Sequence, residues 1–188
     1  HPTDHSQFFL VTPESLYRFS AATNQLEKIH DGSGFTSADV DARSNQLIVG
    51  TSDGYFRYSL KDGQVTGALQ NKLPWPHIGL VKVIGEKYWF GTDRGAFAVR
   101  QDGKIDYYAG KRWLPDDQVT DIASGAGQSV LLLTKGGLAN IHFKQMTLLD
   151  KAMYYEQQVR ERHIRNGFNA TLTGMKAGDL STGYMGDS

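Results

Sequence analysis

The sequence predicts an all-β fold assembled from repeated strand units, followed by one α-helix. Three observations lead to this prediction. A block of short β-prone strands recurs along the chain, its copies are almost evenly spaced, and the pattern changes from strand to helix near residue 147. The composition agrees, because 21 glycines, nine tyrosines and nine phenylalanines in 188 residues are typical of strands joined by many turns.

The repeated block is clearest at residues 88–99, where an aromatic strand, the turn Asp93-Arg94-Gly95 and a second strand follow one another. Further copies occupy residues 8–19, 46–58 and 130–141. A threonine precedes the turn in every copy: Thr12, Thr51, Thr92 and Thr134. A second set of apolar residues keeps the same spacing: Leu26, Val65, Ile105 and Met146. A period of about 40 residues with this composition is typical of a β-propeller, in which each blade is a four-stranded sheet.

Each unit divides further into predicted strands. An inner strand precedes the block at residues 38–41, 79–83 and 118–123, and the turns Asp62-Gly63 and Asp102-Gly103 lead into a last strand. Residues 1–146 are therefore predicted to form about four four-stranded blades. Because most propellers have more blades, we expect them to be part of a larger propeller. Its closure would need a second chain or a further part of the same protein, unless four blades close a ring by themselves.

The segment after the repeats has helical spacing. The apolar residues are Leu148, Leu149, Ala152, Tyr155 and Val159. No glycine or proline interrupts residues 151–166, and Asn166-Gly167 is a plausible stop. We therefore predict an amphipathic helix over residues 148–165, and we interpret residues 147–188 as the start of a second, helical domain.

The repeats and the segment after them each resemble a known protein family. Residues 114–123 and 134–138 resemble the propeller repeat of two-component-regulator sensor proteins, and residues 89–97 resemble it more closely. Residues 154–156, 160–163 and 178–182 are similar to the beginning of a helical toroid domain in bacterial polysaccharide-degrading enzymes, with rhamnose–glucuronate lyases as the nearest family.

The second resemblance implies the propeller part of a secreted or periplasmic carbohydrate-active enzyme. That enzyme would be a lyase acting on a uronate-containing polysaccharide or oligosaccharide, with most catalytic residues beyond this chain. The chain alone is then expected to be inactive. The alternative is a non-catalytic propeller that binds a ligand or acts as a sensor.

Candidate catalytic residues lie on the predicted helix. A uronate lyase needs a cation beside the substrate carboxylate and a base for the sugar proton, and Arg162, His163 and Tyr155 are of suitable types. Arg160 is a candidate for substrate binding. The favoured alternative is structural, because Glu156 and Arg160 are four residues apart on a helix and can form a solvated ion pair.

Other candidates for substrate binding lie in connecting segments. Trp75 and His77 follow one Leu-Pro step and Trp113 precedes another, so each tryptophan could stack on a sugar ring or fill a wedge between blades. The regular placement favours the wedge. Asp179, on a glycine-rich segment, could bind a sugar hydroxyl.

Several classes of function are disfavoured. The chain has no cysteine, and no histidine pair has the spacing of a zinc site, so neither a metal nor another cofactor is expected. No phosphate-binding glycine loop or serine nucleophile elbow is present. A formal net charge of +0 argues against nucleic-acid binding. No apolar run approaches the about 20 residues of a membrane span.

Overall fold

The computed structural model describes residues 6–143 and 147–165. These residues form fourteen strands in four antiparallel sheets, and one helix. In each sheet the strands pair in chain order, as in the blades of a propeller. The mostly-β architecture with one C-terminal helix is as predicted.

The two middle sheets have four strands each. The second sheet consists of β4 (Phe35–Asp41), β5 (Gln46–Thr51), β6 (Gly54–Ser59) and β7 (Gln64–Gln70). The third consists of β8 (Leu80–Ile84), β9 (Lys87–Thr92), β10 (Gly95–Val99) and β11 (Ile105–Tyr108). The predicted inner strands at residues 38–41 and 79–83 overlap β4 and β8, and the repeated block coincides with the two strands that follow each of them.

The outer two sheets have three described strands each, which corrects the prediction of four strands in every unit. The first consists of β1 (Gln7–Val11), β2 (Ser15–Ser20) and β3 (Gln25–Asp31). The fourth consists of β12 (Val119–Ser124), β13 (Ser129–Thr134) and β14 (Gly137–His142). The first sheet corresponds to the second, third and fourth strands of a unit. The fourth sheet corresponds to the first, second and third strands. Met146, the last predicted anchor, lies outside the described residues.

The threonine of each repeat closes the turn between the two block strands. Its hydroxyl donates to the carbonyl oxygen three residues later in all four units. The glycine-containing pairs are Thr51–Gly54 at 3.0 Å, Thr92–Gly95 at 2.8 Å and Thr134–Gly137 at 2.7 Å. In the first unit Thr12 donates to Ser15 at 3.2 Å, so the contact persists where the glycine is missing. The repeated threonine is thus explained by turn geometry.

Apolar side chains hold successive sheets together. One cluster joins the first and second sheets through Leu16, Phe35, Val49 and their neighbours. A second joins the second and third sheets through Ile48, Phe90, Phe97 and others. The inner strands follow one another, because β4 contacts β8 and β8 contacts β12. Contacts between successive inner strands are expected for neighbouring blades.

The glycine before the anchor threonine lets the next sheet approach. A Cβ on Gly50 would lie 2.6 Å from the Cγ2 atom of Ile78, and one on Gly91 would lie 3.0 Å from the Cγ1 atom of Val119. Both distances are shorter than ordinary van der Waals contacts, so the small residue is required by packing between sheets.

The helix α1 (Leu148–Arg165) has the predicted bounds. It begins with a capping arrangement, in which the Asp150 N–H donates to Thr147 Oγ1 at 3.1 Å and the Thr147 N–H donates to Asp150 Oδ2 at 2.9 Å. The chain divides into two compact units, His1–His142 and Phe143–Ser188. The domain assignment 1–146 and 147–188 stays a prediction. Of the helical segments described, none has the length and apolar character needed to span a bilayer.

Candidate functional site

The candidate catalytic residues of α1 are only partly described. Tyr155 is 66% exposed, with its ring 5.7 Å from that of Tyr154. Arg160 donates to Glu156 at 2.6 Å in the ion pair that the structural alternative predicts. Arg162 and His163 belong to α1, but their side chains lie outside the described residues, as does Asp179 altogether. The catalytic and binding roles assigned to these residues stay predictions.

Trp75 packs as part of the sheet assembly. Its half-buried ring lies 6.5 Å from the ring of Phe97 and 6.3 Å from that of Tyr107, and it belongs to the cluster between the second and third sheets. His77 is exposed, whereas the next residue, Ile78, is fully buried and donates its N–H to the Thr51 carbonyl at 3.0 Å. This connection is therefore anchored by Trp75 and Ile78, which agrees with the wedge interpretation for Trp75.

Trp113 has a different environment. It is 42% exposed, packs edge-on against Tyr108 with 5.4 Å between centroids, and lies under the Arg112 guanidinium at 5.3 Å. It borders an open hollow of about 390 Å³ with Leu114 and Pro115. Trp75 contacts Phe97 and Tyr107 on one face of the third sheet, and Trp113 contacts Tyr108, which points to the other face. The two tryptophans therefore do not form one site.

A cavity between the second and third sheets was not predicted from the sequence. Its volume is about 290 Å³. Buried or half-buried apolar and tyrosine side chains form part of its wall: Tyr55, Leu73, Tyr88, Val99 and Ile105. Polar and charged side chains form the remainder: Arg57, Gln70, Lys72, Glu86, Arg100 and Gln101. Three cations thus border the cavity with a single carboxylate.

Two of these cations have no acidic partner. Among the described residues, neither Arg57 nor Lys72 makes an ion pair, whereas Arg100 lies 3.3 Å from Asp106. The buried Nε of Arg100 lies 3.9 Å from Asp102 Oδ1 and has no hydrogen-bond partner among the described residues. Arg57 and Lys72 are both exposed, and together with the half-buried Arg100 they favour an anionic group over a neutral one at this cavity.

A hydrogen-bond network fixes one wall of this cavity. The Tyr88 hydroxyl on β9 donates to Asp41 Oδ2 on β4 at 2.8 Å, and Arg43 donates to Asp41 through Nε at 3.0 Å and Nη2 at 3.2 Å. Asp41 is only 3% exposed. Burial opposes ionisation, but the hydrogen bonds from Arg43 and Tyr88 hold the pKa of Asp41 below its usual value.

The tyrosines of the cavity are neutral at physiological pH. Burial raises the pKa of Tyr55. Burial also raises the pKa of Tyr88, and its hydrogen bond to the Asp41 carboxylate adds to the effect. Tyr88 therefore remains a hydrogen-bond donor that joins the two sheets, while its ring faces the cavity. The described residues contain no cluster of three acidic or histidine side chains placed to hold a metal ion.

The sequence held a weak signal for this cavity. Tyr55 and Arg57 alternate along β6, so their side chains project from the same face of the second sheet. Only the packing of the two sheets shows that β9 and β10 of the next sheet lie opposite Tyr55 and Arg57.

No protein family model matches the chain, and neither does any curated protein. Solved structures do match. The extracellular domain of a hybrid two-component system from B. thetaiotaomicron is 18% identical, with a TM-score of 0.59, over 75% of this chain and 20% of that one. A second such domain from the same organism is 15% identical, with a TM-score of 0.58, over 76% and 24%.

An auxiliary nutrient binding protein from Bacteroides thetaiotaomicron is 9% identical, with a TM-score of 0.54, over 71% of this chain and 34% of that one. This chain thus spans about a fifth to a third of the lengths of these three proteins. Identities this low show the fold alone. They support a propeller-type fold, and they do not bear on the helical toroid.

Proposed function

We propose that this chain is part of a propeller that binds a ligand, or senses one, in the secreted or periplasmic space. The observation that carries the proposal is the cation-bordered cavity between the second and third sheets. The structural neighbours support the same class of function, since two are extracellular domains of two-component systems and one is a nutrient binding protein.

The chemistry of the cavity favours an acidic sugar as the ligand. Arg57 and Lys72 offer unpaired cations to a carboxylate, and Gln70 and Gln101 can hydrogen-bond sugar hydroxyls. The ring of Tyr88 supplies an apolar face for the sugar carbons. The volume of about 290 Å³ is near the lower end for small-molecule sites, so the cavity fits one acidic residue of an oligosaccharide rather than a long segment.

The lyase hypothesis gains no support from the comparisons. The roles of its candidate residues Arg162 and His163 stay predictions, whereas two structural neighbours are extracellular domains of two-component systems and one is a nutrient binding protein. The non-catalytic alternative is therefore the better supported of the two.

Calorimetric titration with uronate-containing oligosaccharides, and with neutral oligosaccharides of equal length, tests the proposal. We expect binding of the acidic ligands only. Replacing Arg57 or Lys72 with alanine should weaken binding by about 10-fold or more, because a hydrogen bond to a charged group is lost. Arg112→Ala is the control, since that cation lies beside Trp113 and outside the cavity.

Three results would contradict this site: equal affinity for acidic and neutral ligands, an effect of Arg112→Ala with none of Arg57→Ala, or no binding at all. The same mixtures report turnover, because the conjugated double bond of a lyase product absorbs ultraviolet light of short wavelength. The chain alone is expected to produce none.

A further inference from the structure

We propose that Trp75 and Tyr107 bind a second sugar of the ligand, next to the acidic sugar in the cavity. This inference rests on the proposed function, because the cavity is taken to hold the first sugar. The two ring centroids lie 6.3 Å apart, and the ring planes are 87° apart. We call this perpendicular pair the aromatic corner. It lies at the same junction as the cavity, since Trp75 packs in the cluster between the second and third sheets.

Two chain segments lead from the cavity to the aromatic corner. In the connection after β7, Leu73 borders the cavity, and Trp75 follows two residues later. On β11, Ile105 borders the cavity, and Tyr107 follows on the same face of the strand. Two residues of a strand span about 7 Å, which is comparable with the length of one hexose unit. A sugar linked to one in the cavity therefore reaches the corner.

Tyr107 is available to a ligand, because it is 65% exposed. The repeat does not require an aromatic ring in its place. Phe97 and Tyr17 are equivalent, since each is five residues after its anchor threonine. Phe97 lies opposite Tyr107 in the third sheet, whereas Tyr17 lies opposite Lys28 in the first. The repeat therefore does not explain Tyr107, and a contact with ligand does.

The ring of Trp75 is held in place by the third sheet. It packs against Phe97 with 6.5 Å between centroids, and its Cη2 atom would lie 3.1 Å from a Cβ on Gly95. Pro74 and Pro76 flank the residue and restrict the backbone on both sides. Trp75 is nevertheless only half-buried, so part of it remains open to solvent. A side chain that is already ordered loses little conformational entropy when a ligand binds.

The chemistry of the aromatic corner favours a neutral sugar. A pyranose ring has apolar C–H groups on its faces and hydroxyl groups at its rim. Aromatic rings can cover those faces, and the Tyr107 hydroxyl can hydrogen-bond the rim. Neither side chain of the corner is a cation, whereas Arg57 and Lys72 border the cavity. Cavity and corner together therefore favour a disaccharide unit of one acidic and one neutral sugar.

Calorimetric titration of the 188-residue chain tests this extension of the site. The probes are methyl glucuronide and a set of disaccharides in which glucuronate is joined to a neutral hexose by different linkages. We expect at least one disaccharide to bind about 10-fold more tightly than methyl glucuronide, because stacking on an aromatic ring removes apolar surface from water.

Substitutions of Tyr107 separate the corner from the cavity. Tyr107→Ala should lower the affinity for that disaccharide by about 10-fold, to the level of methyl glucuronide, and leave the affinity for methyl glucuronide unchanged. Tyr107→Phe should keep most of the gain, because the ring remains. Arg57→Ala should weaken the binding of both probes. Trp113→Ala is the control and should change neither affinity, since Trp113 is an exposed aromatic residue that packs on Tyr108, on the other face of the third sheet.

Failure of the corner and failure of the cavity give different results. If methyl glucuronide binds and no disaccharide binds more tightly, the corner is refuted and the cavity is retained. The corner is also refuted if Tyr107→Ala weakens both probes equally, or if Trp113→Ala has the same effect as Tyr107→Ala. If neither probe binds, the acidic ligand of the cavity and the corner are both overturned.

Discussion

Removal of the Tyr88 hydroxyl should destabilise the contact between the second and third sheets. In Tyr88→Phe the ring is kept, and only the donor to Asp41 Oδ2 at 2.8 Å is lost. The acceptor is a buried carboxylate, 3% exposed, whose other side-chain donors are Arg43 and Ser44. A hydrogen bond to a charged group contributes about 1.5–3 kcal/mol, so we expect a loss of about 1.5–2 kcal/mol in the free energy of unfolding, because Arg43 continues to compensate the charge.

Urea denaturation monitored by circular dichroism measures this loss. Tyr107→Phe is the control, because Tyr107 is 65% exposed and its hydroxyl has no hydrogen bond to a described residue. We expect a change near zero for the control. Equal changes in the two variants, or a loss below about 0.5 kcal/mol for Tyr88→Phe, would refute the importance of this bond, since such a loss is typical of ordinary surface substitutions.

The loss of unfolding free energy in Tyr88→Phe should also depend on pH. The pKa of Asp41 is lower in the folded chain than in the unfolded one, so ionised Asp41 contributes stability above its unfolded pKa of about 3.9. That contribution disappears as the pH falls through the folded pKa. The difference between wild type and Tyr88→Phe should therefore be full at pH 7 and shrink below about pH 4. A difference that stays constant from pH 7 to pH 3 would contradict the role of the carboxylate.

Two further stability predictions concern the repeat. Gly50→Val should lower the free energy of unfolding by about 1–3 kcal/mol, because the new side chain would collide with Ile78. Gly79→Ala should be tolerated, since its Cβ would lie 3.6 Å from the nearest atom. Thermal melts of both variants check these expectations. Thr92→Val should cost about 1–2 kcal/mol, because Thr92 is 2% exposed and loses the hydroxyl that donates to the turn carbonyl. Thr12→Val at the exposed equivalent turn should cost less, and a larger loss at Thr12 would contradict this explanation.

Much of the repeat could be predicted from the sequence because its rules are local. The threonine before each turn and the Asp-Gly steps depend on bonds within a few residues, so the strands of the second and third sheets and the bounds of α1 followed from spacing. The strand number of the first and fourth sheets did not follow. Among the described residues, the first sheet has the second to fourth strands of a unit and the fourth sheet has the first to third.

The candidate site also has features that could be predicted from the sequence and features that only the tertiary structure shows. Trp75 and Trp113 looked alike beside their Leu-Pro steps, yet they pack on opposite faces of the third sheet. The cavity bordered by Arg57 and Tyr88 had no counterpart in the sequence prediction. Its walls come from strands about thirty residues apart, which only the packing of two sheets brings together.

The sequence by itself determined the repeat, its turns and the helix. These features depend on hydrogen bonds between near neighbours and on the two-residue period of strands, and both involve residues that are close together in the sequence. The tertiary structure decided the rest. It alone showed that Gly50 lies against Ile78 and that Tyr88 joins Asp41 across two sheets. It alone showed that Trp75 and Tyr107 form a perpendicular pair of rings. Such contacts join residues that are far apart in the sequence, so they are set by long-range packing.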